Sequence, residues 1–480
     1  MTRAALLGLG LAVATALAAG GPARATPFEL AAPPDTRAAS ALRGANDGPQ
    51  GAATCAFAAP GAAPLSLLDA VQRALCHDPR TRKAWAYIET QRGEVGVSRA
   101  AYLPTVTASG SIARVHQHVT YTDLPGLEST LDTRSTQMGL TLDWVLYDFG
   151  LRAAQLEHAR QLLNAAIASR DDTLQTVFLD TVHAYYDAQT DLTLRNAARE
   201  TERVARESFD IARAKFAAGA ATLADKLQAQ TAYSQATLKR IQADSQLRSA
   251  IGTLALALGL DPATPLRLPA AEDRGKHRGD YRAAVDTLVR QALARNPRIA
   301  EAEAQLKAAQ AQADSARSQD RPRISLSATL DRSDTPIEEV TSRQVINNRS
   351  IGLQVTIPIF DGFSRRHQVY EADAQVRVKQ AELDDARKSV AQQVWKSDEA
   401  FTSGLQAVAT AESLLDSARQ SVRVALGRYK AGVGSLLELL RAQSDLADAQ
   451  QQRILALSSW KTARFELAAS LGRLGLQDAR

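Results

Sequence analysis

A chain of 480 residues with 45% hydrophobic, 23% charged and 5% aromatic side chains would conventionally be divided into about three domains with ordinary cores. Lys plus Arg exceed Asp plus Glu by 57 to 52; removing a leader that holds Arg3 and Arg24 lowers the excess from +5 to +3, and the remaining charges are mixed in sign. No basic patch forms, so a pI near 9.2 does not point to nucleic acid. A mean hydropathy of −0.22, with no interior apolar run of about eighteen residues, excludes a polytopic helical membrane protein and leaves a membrane β-barrel open.

The N-terminus reads Met1-Thr-Arg, an apolar stretch from Ala4 to Ala19, then Ala23-Arg24-Ala25. This is a secretory signal peptide over residues 1–25, with the mature chain expected to begin at Thr26. Residues 26–64 are dominated by Ala, Pro, Gly and Thr, a flexible extension that cannot bury enough surface to fold alone. It holds Cys55. The only other cysteine is Cys76, and export to an oxidising compartment makes a Cys55–Cys76 disulfide possible.

Beyond residue 65 the chain is written twice. Ala74-Leu75-Cys-His-Asp78-Pro79 recurs as Ala292-Leu293-Ala-Arg-Asn296-Pro297, a shift of 218 that also sets Pro104 on Pro322. After a loop the shift becomes 213, which superimposes Leu146-Tyr147-Asp148 on Ile359-Phe360-Asp361 and Leu258-Gly259 on Leu471-Gly472. The expected units are a first repeat over 65–260, a surface linker over 261–283, a second repeat over 284–472, and a tail over 473–480.

Each repeat opens with a helical pattern, near 66–102 and 284–320, that Asp78-Pro79 or Asn296-Pro297 breaks in two. Pro104 and Pro322 end it, and hairpins near 104–147 and 322–360 follow, with polar loops at 116–136 and 332–349. In the hairpins apolar residues alternate with small polar ones. Val106, Ala108, Ile112, Met138, Leu140, Leu142, Trp144 and Leu146 face one way in the first, matched by Ile324, Leu326, Leu330, Ile351, Leu353, Val355, Ile357 and Ile359. The opposite faces carry Thr107, Ser109, Ser111, Thr141 and Asp143, and Ser325, Ser327, Thr329, Gln354 and Thr356. After Asp148 and Asp361, which suit helix N-caps, Ala-, Leu- and Arg-rich sequence keeps helical spacing for 68 residues in each copy, 151–218 and 364–431. Leu163, Ile167, Leu174, Phe178, Tyr185 and Leu192 form a coiled-coil seam. At about 1.5 Å per residue each helix would reach on the order of 100 Å. Gly219 and Gly432 then turn the chain into return helices near 222–258 and 435–471.

Apolar faces about ten residues long, backed by small polar faces, suit tilted strands between lipid and a water-filled lumen. Four strands cannot close alone, and unpaired edges are not tolerated in lipid, so the chain must oligomerise. Eight strands from two chains would be filled by side chains, whereas twelve from three leave a pore, which favours the trimer.

At this point the residues resemble the TolC family of outer-membrane channel-tunnels. The resemblance rests on duplicated halves, a Pro before each first strand, Tyr147-Asp148-Phe-Gly150 and Phe360-Asp361-Gly362 after each second strand, and Phe216-x-x-Gly219 and Arg428-Tyr429-x-x-Gly432 at the turns. It implies a mixed α/β fold: a homotrimeric twelve-stranded outer-membrane barrel continued by a periplasmic α-helical barrel. The partners it implies are an inner-membrane ABC transporter, a periplasmic adaptor (membrane fusion protein), outer-membrane lipid and an exported protein. Length and Ala/Arg-rich texture look most like the member that exports an adenylate cyclase–haemolysin toxin by type I secretion. Family members close the tunnel at the tip with acidic rings and a hydrogen-bond and salt-bridge network. Asp225 and Tyr429 fall on acidic and tyrosine positions of that network, while the position that can carry Arg is Gly434 here. The aperture positions are Glu438 and Arg441, one acidic ring and one basic, expected to pair between chains.

No enzymatic motif assembles: there is no phosphate-binding loop, no H-E-x-x-H, no G-x-S-x-G and no Cys-rich metal pattern. Neither cofactor nor metal is expected. His116 and His118 share a strand face but read as solvated, Tyr185-Tyr186 and Trp460 as seam packing, and Trp144 as part of an aromatic girdle. Three functions remain: a duct for a secreted protein, a duct for drug or metal efflux, and a periplasmic coiled-coil adaptor that never enters the membrane.

Overall fold

A computed structural model describes residues 64–120, 126, 128–269, 285–337, 342–472 and 474. The leader, most of the extension with Cys55, and most of the tail lie outside the described residues. Cys76 is not a free thiol.

The elements follow the duplication. The first copy contains α1 (Leu67–His77), α2 (Pro79–Ala100), β1 (Thr105–Val119), β2 (Ser129–Tyr147), α3 (Leu151–Ala217) and α4 (Leu223–Ala257). The second contains α5 (Val285–Arg295), α6 (Pro297–Ser318), β3 (Arg323–Ile337), β4 (Ser342–Thr356), α7 (Ser364–Lys430) and α8 (Leu436–Ser470). The breaks fall at the expected prolines. Asp78 and Asn296 accept from the N–H groups of Arg80 and Arg298 at 2.7 and 3.0 Å, so each cap starts the helix whose first residue is the proline. α3 and α7 are 67 residues each and α4 and α8 are 35 each, so the two copies have equal dimensions.

Such helices share no single core. Buried apolar residues form separate clusters along the bundle. One joins Val71, Ala74, Phe178, Val182, Leu254, Leu258 and Phe465; another joins Leu288, Ile299, Val390, Val394, Leu467 and Leu471; a third, at the turns, joins Ala212, Ala229, Ala425, Leu436, Leu439 and Ala442. Leu174, Phe178 and Tyr185 of the expected seam are buried in the first cluster or beside it, and Tyr185 Oη donates to the Leu65 carbonyl at 3.0 Å. Trp460 packs near Phe401, with ring centroids 6.3 Å apart.

The duplication also appears in backbone contacts. Gly259 and Gly472 follow α4 and α8 with φ of 70° and 66°, and each lies against the end of the short first helix of its own repeat. A Cβ on Gly259 would meet His77 Cβ at 2.7 Å, and one on Gly472 would meet the Arg295 carbonyl oxygen at 3.0 Å. Only glycine supplies both the left-handed turn and this approach.

One expectation gains detail and two change. The described part of the linker, 261–269, lies at the surface but is anchored: Leu266 and Leu268 pack against the first cluster, and the Leu65 N–H donates to the Arg267 carbonyl at 2.8 Å. The hairpin strands run to Val119 and from Ser129, and to Ile337 and from Ser342, well into the expected loops. The ladder continues there because backbone pairing does not need the apolar alternation that marks a strand in sequence. Third, the β2·β3 register shifts between Val145 and Tyr147, so Tyr147, not Leu146, stands opposite Ile324.

A tie between α3 and α8 titrates. His183 Nε2 lies 3.2 Å from Glu466 Oε1, and both side chains are half-buried. The hydrogen bond to Glu466 raises the His183 pKa and, in return, lowers that of Glu466. A raised histidine contributes stability that is full below about pH 6.5 and is lost as pH climbs through the raised value. The depressed Glu466 contributes above its ordinary value near 4.5 and loses this as pH falls through the lowered one. The pair is therefore expected to stabilise most in mildly acidic solution, by under about 1 kcal/mol after solvent screening. Thermal unfolding followed from pH 5 to 9 should show this component in the parent, and His183→Gln should flatten it.

Candidate channel: sheet face, junction and tip

The four strands form one antiparallel sheet in the order β1-β2-β3-β4. Its register sorts the two faces. Thr107 lies opposite Thr141, Thr105 opposite Asp143, Ser325 opposite Gln354, Thr329 opposite Ser350, and Asp143 opposite Ser327. Alternation along the strands adds Ser109, Ser111 and Thr356, so all ten residues expected to line a lumen share one face. Gly139 sits among them against Ser109 and Asp331, and the Thr329 and Ser350 hydroxyls are hydrogen-bonded at 2.5 Å. The other face carries Val106, Ile112, Met138, Leu140, Trp144, Leu330, Ile351, Leu353 and Val355, all of them exposed or half-exposed. A face this apolar and this unburied requires a lipid or protein cover.

At the helical end of the sheet the apolar face finishes in aromatics. Trp144 Nε1 donates to the Tyr102 carbonyl at 2.9 Å. The Tyr147–Phe149 and Phe360–Phe363 rings meet edge to face, with centroids 4.6 and 5.5 Å apart. Amphipathic rings collect at this depth of a membrane boundary.

The junction between sheet and long helix is the same device twice. Asp148 and Asp361 stand two residues ahead of the helix caps, which are Gly150 and Phe363. They still do the work of a cap. Asp148 accepts from the Arg152 N–H at 3.1 Å and from its Nε at 2.6 Å; Asp361 accepts from the Arg365 N–H at 3.0 Å and from its Nε at 2.7 Å. Arg152 is buried and also donates to the Val145 and Leu146 carbonyls at 2.7 and 3.3 Å, so one guanidinium clamps strand end and helix start. Between aspartate and helix the chain takes two left-handed residues, Phe149 and Gly150 in one copy and Gly362 and Phe363 in the other.

The tip lies at the other end of the bundle. Shifted by 213, Thr222 and Asp225 correspond to Ser435 and Glu438, and Thr222 and Ser435 accept from the Asp225 and Glu438 N–H groups, both at 3.1 Å. There the symmetry stops. Asp225 completes a capping box, accepting from the Thr222 N–H at 3.0 Å. Glu438 instead turns to Arg428, whose Nε lies 3.4 Å from its Oε1. Neither acid reaches Tyr429. The Tyr429 ring is buried with no partner for its hydroxyl, and burial, then the charge of Asp225, raises its pKa. Lys215, the counterpart of Arg428, places Nζ 4.0 Å from the Tyr429 ring centroid and donates to the Tyr429 carbonyl at 3.1 Å.

Within the chain Glu438 pairs with Arg428, and exposed Arg441 has no ion-pair partner among the described residues. Gly434, where Arg can stand, is enclosed by the turn. A Cβ there would lie 2.9 Å from Arg428 Cβ and 3.1 Å from the Tyr429 nitrogen, so the turn leaves no room for a longer side chain without moving. The Arg428–Glu438 contact was missed in sequence, although the same shift that aligns the copies pairs Arg428 with Lys215 and so marks both as cations at the turn. His116 and His118 lie along β1 against Asp132 and Thr130, and no metal-binding cluster occurs among the described residues.

Residues 70–260 and 288–473 match the family described as Outer membrane efflux protein. The chain is 36% identical over 431 residues to Protein CyaE of Bordetella pertussis, covering 86% of this chain and 85% of that protein. It is 27% identical over 406 residues to the alkaline protease secretion protein AprF of Pseudomonas aeruginosa, covering 84% of each. It is 28% identical over 427 residues to the probable efflux pump outer membrane protein TtgC of Pseudomonas putida, covering 85% and 83%. Among solved structures, the Campylobacter jejuni CmeC outer membrane channel superimposes with a TM-score of 0.75 at 17% identity, covering 85% and 86%.

The two junctions should respond unequally. Asp148→Ala leaves the buried Arg152 without its carboxylate and is expected to cost about 3 kcal/mol or more. Asp361→Ala is expected to cost clearly less, because Asp361 is solvent-accessible and Arg365 keeps Asp320 at 3.2 Å. Denaturation of the two variants beside the parent measures the difference; equal losses would contradict the clamp.

Proposed function

Because the chain belongs to the outer membrane efflux protein family, we propose that it is the exit duct of a type I secretion system, passing a protein out of the cell. It lies in the outer membrane with its helices in the periplasm, and its fold is that of these channels. Four strands per chain make one third of a twelve-stranded barrel of three chains, continued by a helical barrel and duplicated internally. Family membership sets aside the reading as a periplasmic adaptor that never enters the membrane.

The observation that carries secretion over efflux is the 36% identity to CyaE, the member to which length and texture already pointed, against 28% to TtgC. The duct is read as passive: its polar face offers hydroxyls, an amide and Asp143 to a moving chain. The proposal further assigns a protein cargo of the adenylate cyclase–haemolysin type, an inner-membrane ABC transporter and a periplasmic adaptor. A groove of about 620 Å³ near the tip supports the adaptor; Val204, Leu227, Lys239, Leu440 and Arg441 line it, and Leu227 is half exposed. A disulfide between Cys55 and Cys76, fastening the extension to α1, belongs to the same reading. The second reading, small-molecule efflux, is favoured by the likeness to TtgC.

The deciding experiment compares culture supernatants and drug sensitivity of intact and deleted strains. Loss of one large secreted protein with unchanged drug sensitivity is expected; drug hypersensitivity with an unchanged supernatant would select efflux.

At the tip, Glu438 and Arg441 contribute one acidic and one basic ring in the trimer. Glu438→Ala is expected to move single-channel selectivity toward anions and Arg441→Ala toward cations, each with raised conductance. Unchanged conductance and selectivity in both would refute a gating role.

A further inference from the structure

The apolar face of the sheet does not end level. It covers Val106 to Ile112 on β1, Met138 to Trp144 on β2 and Ile324 to Leu330 on β3, and begins at Ile351 on β4. In the register Ile112 stands opposite Thr136, Met138 opposite Arg332, and Leu330 opposite Arg349. The limit of the band on the hairpin side therefore shifts by about one outward side chain per strand. That is the stagger of strands tilted in a barrel, in which one height crosses successive strands at successive rungs.

Just past that limit every strand places an arginine on the same face. Arg114 follows Ile112, Arg134 follows Met138 and Thr136 toward the hairpin end, Arg332 follows Leu330, and Arg349 precedes Ile351. Arg114, Arg332 and Arg349 keep the stagger of the band, and Arg134, which shares a rung with Arg114, lies one outward position beyond it, so tilting the strands gathers the four along the band's outer edge. Arg114 is satisfied by Asp132, with two contacts of 2.9 Å. Arg134, Arg332 and Arg349 are exposed and have no ion-pair partner among the described residues. Arg134 stands directly opposite Arg114, and since Asp132 already balances Arg114, the positive charge left over at this rung is that of Arg134.

A lipid-facing guanidinium is costly at the bilayer midplane and costs little near the interface. The belt lies on the hairpin side of the band, away from the helices, which is the outer leaflet. Planar guanidinium groups match phosphate oxygens two at a time, and unpaired positive charge at a headgroup layer attracts anionic lipid.

We propose that Arg134, Arg332 and Arg349 form a binding belt for the phosphorylated headgroup of an outer-leaflet glycolipid. The belt anchors each protomer at a fixed depth, and a phosphate beside Arg134 balances the charge that Asp132 leaves over at that rung. A zwitterionic lipid, whose phosphate is offset by its own cation, gains less from three unpaired cations per chain.

The test uses the full-length trimer purified in detergent. Bisphosphorylated lipid A, the same lipid with both phosphates removed, phosphatidylcholine and inorganic phosphate are each titrated in. Trimer dissociation temperature and lipid retained in native mass spectrometry are read for the parent and for the triple variant Arg134→Gln, Arg332→Gln, Arg349→Gln. Lipid A alone should raise the dissociation temperature of the parent, and retention should fall roughly tenfold in the triple variant. The corresponding triple Lys variant should keep part of it, since charge remains while the two-pronged geometry is lost. Equal stabilisation by dephosphorylated lipid or phosphatidylcholine, or undiminished retention in the Gln variant, overturns the proposal. Should the triple variant fail to assemble, the three single Gln variants decide: reduced retention supports the belt, and none in any of them overturns it.

Discussion

The free backbone edges of β1 and β4 govern the rest of the molecule. Within one chain β1 pairs only with β2, and β4 only with β3. An unpaired N–H or C=O facing hydrocarbon costs several kcal/mol, so the sheet is viable in a membrane only when other copies supply the missing ladders. Closure by three chains then sets the strand tilt, and the tilt explains why the apolar band climbs one rung per strand instead of running level. Small residues on the inner face follow from the same geometry, since a twelve-stranded barrel stays open only when its lining does not fill it.

Below the sheet the constraint changes from backbone satisfaction to length. A helix of 67 residues cannot wrap a globular core, and the apolar side chains accordingly gather in clusters spaced along the bundle. Alanine dominates many of these contacts, which brings helices close while burying little surface each time. The Asp148–Arg152 and Asp361–Arg365 pairs matter because they stand where the two regimes meet: each caps the start of a long helix, and Arg152 also holds carbonyls at the end of β2.

Much of this was legible in sequence because it repeats. The doubled Asp/Asn-Pro breaks, the alternation after Pro104 and Pro322, and the glycine turns located every described element, and the long helices end one residue from where spacing put them. What escaped has physical reasons. The strands outrun the apolar pattern because hydrogen bonding, not burial, sustains their outer ends. The bulge near Leu146 leaves alternation intact on both sides and shifts only its phase. The crowding at Gly434 depends on how closely the turn folds back on Arg428, a distance that no spacing rule encodes.

The departures from symmetry are where function concentrates. Duplication supplies matched halves whose clamps and turns have the same geometry, and a perfectly repeated tip would place two identical capping boxes side by side. In the first copy Asp225 is consumed by its own helix N-terminus, and Lys215 lies over the Tyr429 ring of the other copy. In the second copy the equivalent acid is one methylene longer, leaves its cap half made and reaches Arg428 across the turn. The capping box of the first hairpin is local and does not depend on the other hairpin. The second is held by an exposed ion pair, which separates at little cost because solvent takes over both charges. On the proposed reading of the tip as a gate, the first hairpin, with its completed capping box, is the stiff frame, and the second, held by the Arg428–Glu438 pair, is the part that yields.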